Sequence, residues 1–257
     1  MNYLDIWVYI KGMYDFHLHL ARLPQPVTLA RTLLERGLRF NAIACEPYEW
    51  EILQKMSSSL FEGSTRNYGI HPMAITDVTE ADWERLETIL VDNPDAGVGE
   101  CGLDKRYAGY AATDDSLQEA AFKRHVELAI KLNRDLHIHC VGDYGRIVKI
   151  LKDCNYPGRK HPNKPMVHTV FHRFGGDIST VKSAQSLNPL FSLHQDSFHK
   201  KATLDAIPQI PVEQIRFETD ADETFCTANL LKNESIAKIA DALMEHLKET
   251  EQLVIRR

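Results

Sequence analysis

No stretch of this sequence approaches the roughly 18 consecutive apolar residues that a membrane span requires. The opening residues, MNYLDIWVYIKG, carry Asp5 and lack the basic start and small-residue cleavage pattern of a secretory leader. A cytosolic protein with no membrane partner is the expectation. Cysteine is sparse: Cys45, Cys101, Cys140, Cys154 and Cys226 are odd in number and show no CxxC spacing. That pattern speaks against a disulfide frame or a zinc ribbon and predicts reduced, mostly buried thiols. An excess of positive charge is also missing. Thirty Lys and Arg against 36 Asp and Glu give a formal charge of −6, which excludes a surface that coats duplex nucleic acid by overall charge but leaves room for a local basic rim. No linker rich in Gly, Ser or Pro divides the chain, and no repeat or low-complexity segment interrupts it.

What is present is the composition of an ordinary globular protein, 257 residues with 44% hydrophobic and 26% charged side chains. A length near 250 suits two modest domains or one α/β barrel. The hydrophobic pattern predicts strands at Met13–His19, Phe40–Cys45, Asn67–His71, Gly97–Glu100, Leu136–Cys140, Met166–His172, Leu190–His194 and Ile215–Thr219. Helices are expected near Val27–Arg36, Trp50–Ser58, Asp82–Val91, Ser116–Lys131, Arg146–Asp153, Asp177–Ser186, Lys200–Ala206 and Ser235–Lys248. The clearest of these helices begins after Asp114-Asp115-Ser116, whose oxygens can cap free amides. Pro208 and Pro211 keep the helix after the seventh strand short. This alternation predicts one (β/α)8 TIM-type barrel with parallel strands, at residues 13–257.

The 12 histidines are the unusual feature, because several fall in pairs or beside carboxylates. In the first strand Asp15, His17 and His19 share one face, and two imidazoles so placed can reach one divalent ion. A lone H-x-H is as well explained by two polar residues at a strand end. Further candidates recur at other strand ends, however: Glu100 among glycines after the fourth, His137 and His139 on the fifth, His168 and His172 on the sixth, Glu218 and Asp220 at the eighth. That recurrence is hard to attribute to packing, and barrel active sites lie at the C-terminal strand ends.

From about Met13 to about Ala240 these residues resemble the TatD-like metal-dependent hydrolases of the amidohydrolase superfamily. The family's D-x-H-x-H matches Asp15, His17 and His19; its G-x-H-P matches Gly69 to Pro72; its G-E-x-G-L-D matches Gly99, Glu100 and Gly102 to Asp104. A Q-x-x-x-F helix matches Gln118 and Phe122, H-x-F-x-G matches His172, Phe174 and Gly176, and E-T-D-A matches Glu218 to Ala221. The resemblance implies two divalent ions, Mg, Mn or Zn, held by His17, His19, Glu100, His139, His172 and Asp220, with Glu100 bridging them. It also implies catalytic roles for Asp220 and Glu100, and an activity of metal-dependent hydrolysis. His137 and His168 share strand faces with His139 and His172, so each is the alternative ligand on its strand; otherwise they support the ligands or contact substrate.

Four departures from the family pattern bear on substrate choice. Val141 stands where an arginine is usual, Met73 where a second histidine is common, and Asp222 in place of a proline; the segment ending at Arg257 is short. Residues 1–12 form an N-terminal extension whose apolar side chains, among them Leu4, Ile6 and Trp7, are expected to pack on the barrel, since leaving each exposed costs roughly 1.5–3 kcal/mol.

The favoured expectation is a deoxyribonuclease cleaving phosphodiester bonds at single-stranded ends, with single-stranded DNA as partner. Asp220 would act as general base. His71, Lys105, Arg106 and Arg173 are the expected substrate-binding groups, within a basic rim that also includes Arg146, Lys200 and Lys201. An ester or amide hydrolase, including one that deacylates mischarged transfer RNA, is the alternative. A barrel subunit with protein partners in a larger defence-type assembly is the third reading.

Overall fold

The computed structural model describes residues 12–106, 115–157, 166–231 and 233–255. Eight parallel strands lie in sequence order: β1 (Met13–Leu18), β2 (Leu38–Ala44), β3 (Thr65–Tyr68), β4 (Gly97–Asp104), β5 (Leu136–Val141), β6 (Thr169–Phe171), β7 (Pro189–Leu193) and β8 (Ile215–Phe217). Between and after them run α1 (Pro26–Glu35), α2 (Pro47–Lys55), α3 (Glu80–Asp92), α4 (Asp115–Leu132), α5 (Tyr144–Asp153), α6 (Ile178–Ala184), α7 (Lys201–Ala206), α8 (Glu223–Ala228) and α9 (Ile236–Ile255).

The strand and helix order expected from the sequence is therefore the order observed, while several bounds shift: β3 ends at Tyr68, before His71, α2 starts at Pro47, α9 runs to Ile255, and three further differences bear on the site. Strand β4 runs on to Asp104, so Glu100 lies inside the strand rather than at its end. Strand β6 begins only at Thr169. A short helix, α8, follows β8 where the pattern offered none. The expected N-terminal extension and the Asp114 end of the proposed cap fall outside the described residues.

Local chemistry explains the helix starts. Pro26 and Pro47 open α1 and α2, where a missing amide costs nothing. Thr79 and Asp82 cap α3 reciprocally through side chain and backbone. The barrel wall packs against these helices through a continuous core that includes Leu18, Phe40, Trp50, Phe122, Phe171 and Leu243. Trp50 Nε1 donates to the carbonyls of Ala44 and Gly69 at 3.2 and 3.0 Å, fastening the ends of β2 and β3 together.

Closure between β8 and β1 falls beside the histidines. The Asp220 amide donates to the His17 carbonyl at 2.9 Å, and the His19 amide to the Ala221 carbonyl at 3.0 Å. Beneath them the Asp15 carboxylate accepts the Thr219 amide at 3.0 Å and the Thr219 hydroxyl at 2.6 Å. Burial pushes the Asp15 carboxyl up to about 7 against the pull of those donors. Asp15 thus seams the barrel and is not among the residues that line the cleft.

The lower barrel is polar. His137 is 4% exposed, meets Asn41 Nδ2 at 3.3 Å, and stacks near Phe16 with ring centroids 6.4 Å apart. Burial pushes the His137 imidazole down to about 3, so it is neutral.

Candidate metal centre

Strand alternation brings His17 and His19 to one face of β1 with ring centroids 5.1 Å apart. Strand β4 sets Glu100 opposite them, and its flanking glycines are required. A Cβ on Gly102, at φ 150°, would stand 1.9 Å from the His139 carbonyl oxygen, and one on Gly99, at φ 125°, 2.3 Å from that of His137. Only bare backbone lets β4 and β5 approach this closely.

The Glu100 carboxylate divides its two oxygens. Oε2 lies 3.4 Å from His17 Nε2 and 3.5 Å from His19 Nε2, and both histidines also face Asp220 Oδ1, at 3.7 and 3.5 Å. Oε1 lies 2.6 Å from His139 Nδ1, 2.7 Å from His172 Nε2 and 3.6 Å from His71 Nε2. Among the described residues four groups of ligand-type atoms lie within 4.8 Å of one another: His17 with His19 and Asp220, His71 with Glu100 and His139, His17 with His172 and Glu218, and His19 with Cys45 and Glu49.

A carboxylate stands behind each of the two histidines nearest Oε1. Asp104 Oδ2 is 2.9 Å from His139 Nε2, and Glu218 Oε1 is 3.4 Å from His172 Nδ1. Asp104 is itself placed by Gln118 on α4, whose side-chain oxygen accepts the Asp104 amide at 3.0 Å while its nitrogen donates to the Pro72 carbonyl at 3.1 Å. His71 is aimed by the Met73 amide, which donates to its Nδ1 at 3.1 Å.

The electrostatics of this cluster follow from burial and close charge. Burial opposes ionisation of Glu100, but His172, His71, His139 and His17 outweigh it and hold the carboxyl well below its ordinary range. Asp220 is likewise well below, through His19, His172 and His17, in spite of burial. Burial disfavours charge on His172 too, yet Glu100 and Glu218 raise its pKa well above 6.5. Burial and the neighbouring His139 push His71 down to about 3. The centre is thus built from two firmly ionised carboxylates among imidazoles.

Both ring nitrogens of His17 and Nδ1 of His19 are buried without a hydrogen-bond partner among the described residues. Leaving several buried polar atoms unpaired is costly. Hard carboxylate oxygens and imidazole nitrogens converging on one space are the donor set of a divalent cation, and no thiol is needed. The residues present therefore fit the implied ions.

The six expected ligands and His71 come together at one end of the barrel. His137 does not, lying lower on Asn41, and His168 does not, lying 3.5 Å from Asp135 at the opposite strand ends. The expectation that these two support the ligands or contact substrate is corrected for His168, because its strand begins one residue later. Among groups that sequence reasoning gave no role, Arg22, Glu46 and Glu49 form an ion-pair cluster beside Cys45 at the cleft edge. Nothing in the local sequence marked it, since Arg22 and Glu49 are 27 positions apart.

Above the centre opens a cleft of about 870 Å³. His71, Arg106 and Arg173 line it. Lys105 does not line it and pairs with Asp143 at 3.3 Å instead. Neither Arg146 nor Lys201 lines the cleft; Arg146 pairs with Glu119 and Lys201 with Asp205. Arg173 bonds Asp220 Oδ2 at 2.7 Å and reaches Asp196. Arg173 and Asp220 both hold left-handed backbone, at φ 42° and 49°, a strain that clusters at functional sites. Met73, Val141 and Asp222, the departures from the family pattern, all line the cleft. All five cysteines are free, and four are buried. Among the described residues no helix is long and apolar enough to cross a membrane.

The sequence profile of a family described as TatD related DNase matches residues 14–257. The chain is 27% identical over 173 residues to the 3'-5' ssDNA/RNA exonuclease TatD of Klebsiella pneumoniae, covering 65% of this chain and 60% of that relative. It is 26% identical over 218 residues to a Mycobacterium tuberculosis protein named uncharacterized metal-dependent hydrolase TatD, covering 81% of this chain and 79% of the other. Among solved structures, a TatD family hydrolase from Entamoeba histolytica superposes with a TM-score of 0.66 at 14% identity, over 92% of this chain and 96% of that one. The TatD homologue YJJV from Escherichia coli gives a TM-score of 0.64 at 17% identity, over 91% and 95%. These two likenesses establish the barrel fold.

Proposed function

The chain belongs to the family of TatD related DNases, matched from residue 14 to residue 257, and from that premise we propose that it is a metal-dependent phosphodiesterase that shortens single-stranded DNA from an end. The observation that carries this reading is the division of Glu100, one oxygen towards His17 and His19 and the other towards His139 and His172. His17, His19 and Asp220 would hold one divalent ion, His139 and His172 a second, and Glu100 both. His71 Nε2 is near enough to Glu100 Oε1 to join the second set. Bound in pairs, Mg, Mn or Zn lower the pKa of water and offset charge on a phosphoryl group.

The chain's own groups supply the rest. Asp220 is held ionised, so its carboxylate is the proton acceptor for an attacking water. Arg173, at the cleft wall and bonded to Asp220 Oδ2, is the cation set to meet a phosphate oxygen next to that base. Asp104 and Glu218 orient the imidazoles behind the reacting groups. The names of relatives acting on single-stranded DNA and RNA support the substrate class.

End-labelled single-stranded and double-stranded oligonucleotides incubated with Mg, Mn or Zn, beside a chelated control, test the proposal. Progressive shortening of the single strand, abolished by chelation, is expected. The apolar stretch of wall at Met73, Ala74 and Val141 favours acyl substrates as the second reading. Turnover of acyl esters with intact oligonucleotides would replace the first reading by the second.

A further inference from the structure

One corner of the cleft is shaped for an anion and has no part in the reaction as described. After His172 the chain continues through Arg173 and Phe174 to Gly175, which lines the cleft. A methyl-sized group on the open side of Gly175 would stand 3.7 Å from Lys200 Nζ, 3.7 Å from Tyr144 Oη and 3.9 Å from the Arg173 carbonyl oxygen. The missing side chain thus leaves the face of Gly175 bare, a niche flanked by an ammonium and a phenol.

Both donors are free to serve it. Tyr144 Oη accepts the Gly175 amide at 2.8 Å, which fixes the phenol and leaves its own proton unassigned among the described residues. Burial raises the Tyr144 pKa, so that proton stays in place. Lys200 has no carboxylate within ion-pair distance among the described residues. Its neighbours in the cleft do: Arg173 meets Asp196 and Asp220, Arg22 meets Glu46 and Glu49, and Arg106 lies 3.5 Å from Asp104. An ammonium left unneutralised beside a phenolic donor matches the needs of a phosphate oxygen.

Resting on the phosphodiesterase reading, we propose that Lys200, Tyr144 and the bare face of Gly175 form a phosphate subsite that grips the strand beside the linkage being cut. Gly175 stands three positions after His172, a reach of at most about 10 Å. The proposal gives the niche to the phosphate of a neighbouring linkage, because the scissile one is assigned to the centre and to Arg173.

The test compares wild type with Lys200→Met and Gly175→Ala. Gly175 does not adopt positive φ, and its added methyl would meet only ordinary contacts, so that variant fills the niche without straining the fold. Metal-loaded proteins are assayed on a single-stranded hexanucleotide, on the same strand with a neutral methylphosphonate beside the scissile linkage, and on bis(p-nitrophenyl) phosphate, which has one phosphate. Both variants should raise KM for the hexanucleotide about tenfold with kcat nearly unchanged. Lys200→Met should also flatten the salt dependence of log KM by about 0.7. The methylphosphonate should bring wild type to the level of the variants and cost the variants nothing further. On bis(p-nitrophenyl) phosphate the three proteins should agree within about twofold. Losses of equal size on both substrates, or none on the hexanucleotide, would overturn the subsite. If the KM effect follows a 5'-phosphate and ignores the methylphosphonate, the proposed flanking linkage is wrong and the niche takes a strand terminus.

Anisotropy of the labelled hexanucleotide separates this proposal from the activity it rests on. Binding weakened by Lys200→Met in a protein that cuts no phosphodiester keeps the subsite and removes the phosphodiesterase reading. Cutting by wild type with unaltered variants does the reverse, and neither binding nor cutting removes both.

Discussion

His139 turns Nε2 to Asp104, 2.9 Å away, and so presents Nδ1 to Glu100 at 2.6 Å. By accepting a hydrogen bond from Nε2, the Asp104 carboxylate favours the tautomer that would offer the Nδ1 lone pair to a bound ion. Asp104→Asn keeps the shape of that contact but removes its charge, so the preference between the two ring tautomers weakens. Metal affinity is expected to fall about 10–100-fold, measured by calorimetric titration of the metal-free protein. Unchanged affinity would show that Asp104 serves only the turn at Arg106, whose amide it also accepts.

On β5, His137 pairs in register with Gly99 and His139 with Gly102, so two residues of strand, about 6.6 Å, separate them along the barrel. His139→Ala should lose metal and nearly all hydrolysis. His137→Ala removes a neutral imidazole from the layer with Asn41, and should lower stability by about 1–3 kcal/mol while retaining metal. Metal analysis of the two purified variants checks the order, and the reverse order would defeat the assignment of His139.

Glu100→Gln keeps the volume of the side chain and removes its charge. Since the ionised carboxylate is shared between two sets of imidazoles, turnover should drop by at least about 100-fold. The barrel should still form, but the metal-free variant should melt below metal-free wild type, because the imidazoles that hold Glu100 ionised outweigh the cost of its burial and lose their partner. Turnover within a few-fold of wild type would count against the bridging role.

His125 lies outside the centre and predicts a pH dependence of stability. It is fully buried on α4, where Nδ1 donates to the Ala121 carbonyl and Nε2 accepts the Ile70 amide at 3.0 Å. Burial pushes its pKa from 6.5 down to about 4. A group that takes up its proton more readily when unfolded stabilises the fold fully above pH 6.5, and that stability drains away as pH falls towards 4. The amount is on the order of 3 kcal/mol. Urea unfolding at pH 7 and pH 5 should show a smaller loss on acidification in His125→Gln than in wild type. Equal losses would mean that His125 is not held neutral by the fold.

Most of the chain's architecture was legible because its signals are local. The period-two pattern of β1 puts His17 and His19 on one face whatever surrounds them, and the expected helix starts at Val27 and Asp177 fall within one residue of the observed ones. The errors were where a neighbour in space decides. Strand β4 runs past Glu100 because its last residues pair with Cys140 and Val141 on β5, a partner whose register the β4 sequence does not encode. The basic rim looked uniform in sequence, yet Lys105, Arg146 and Lys201 are taken up by Asp143, Glu119 and Asp205, while Lys200 is not.

The sequence by itself determined the kinds of groups available and the side of each strand on which they lie, because alternation and turn chemistry act over two to four residues. It placed a bank of histidines and carboxylates at one end of a parallel barrel. Only the tertiary structure decided how that bank is divided. Glu100 reaches His17 across 83 positions and His139 across 39, and Asp15 closes the barrel on Thr219 across 204. Those separations are set by how the whole barrel closes, and a shift of one residue between neighbouring strands would turn every one of these side chains to the opposite face.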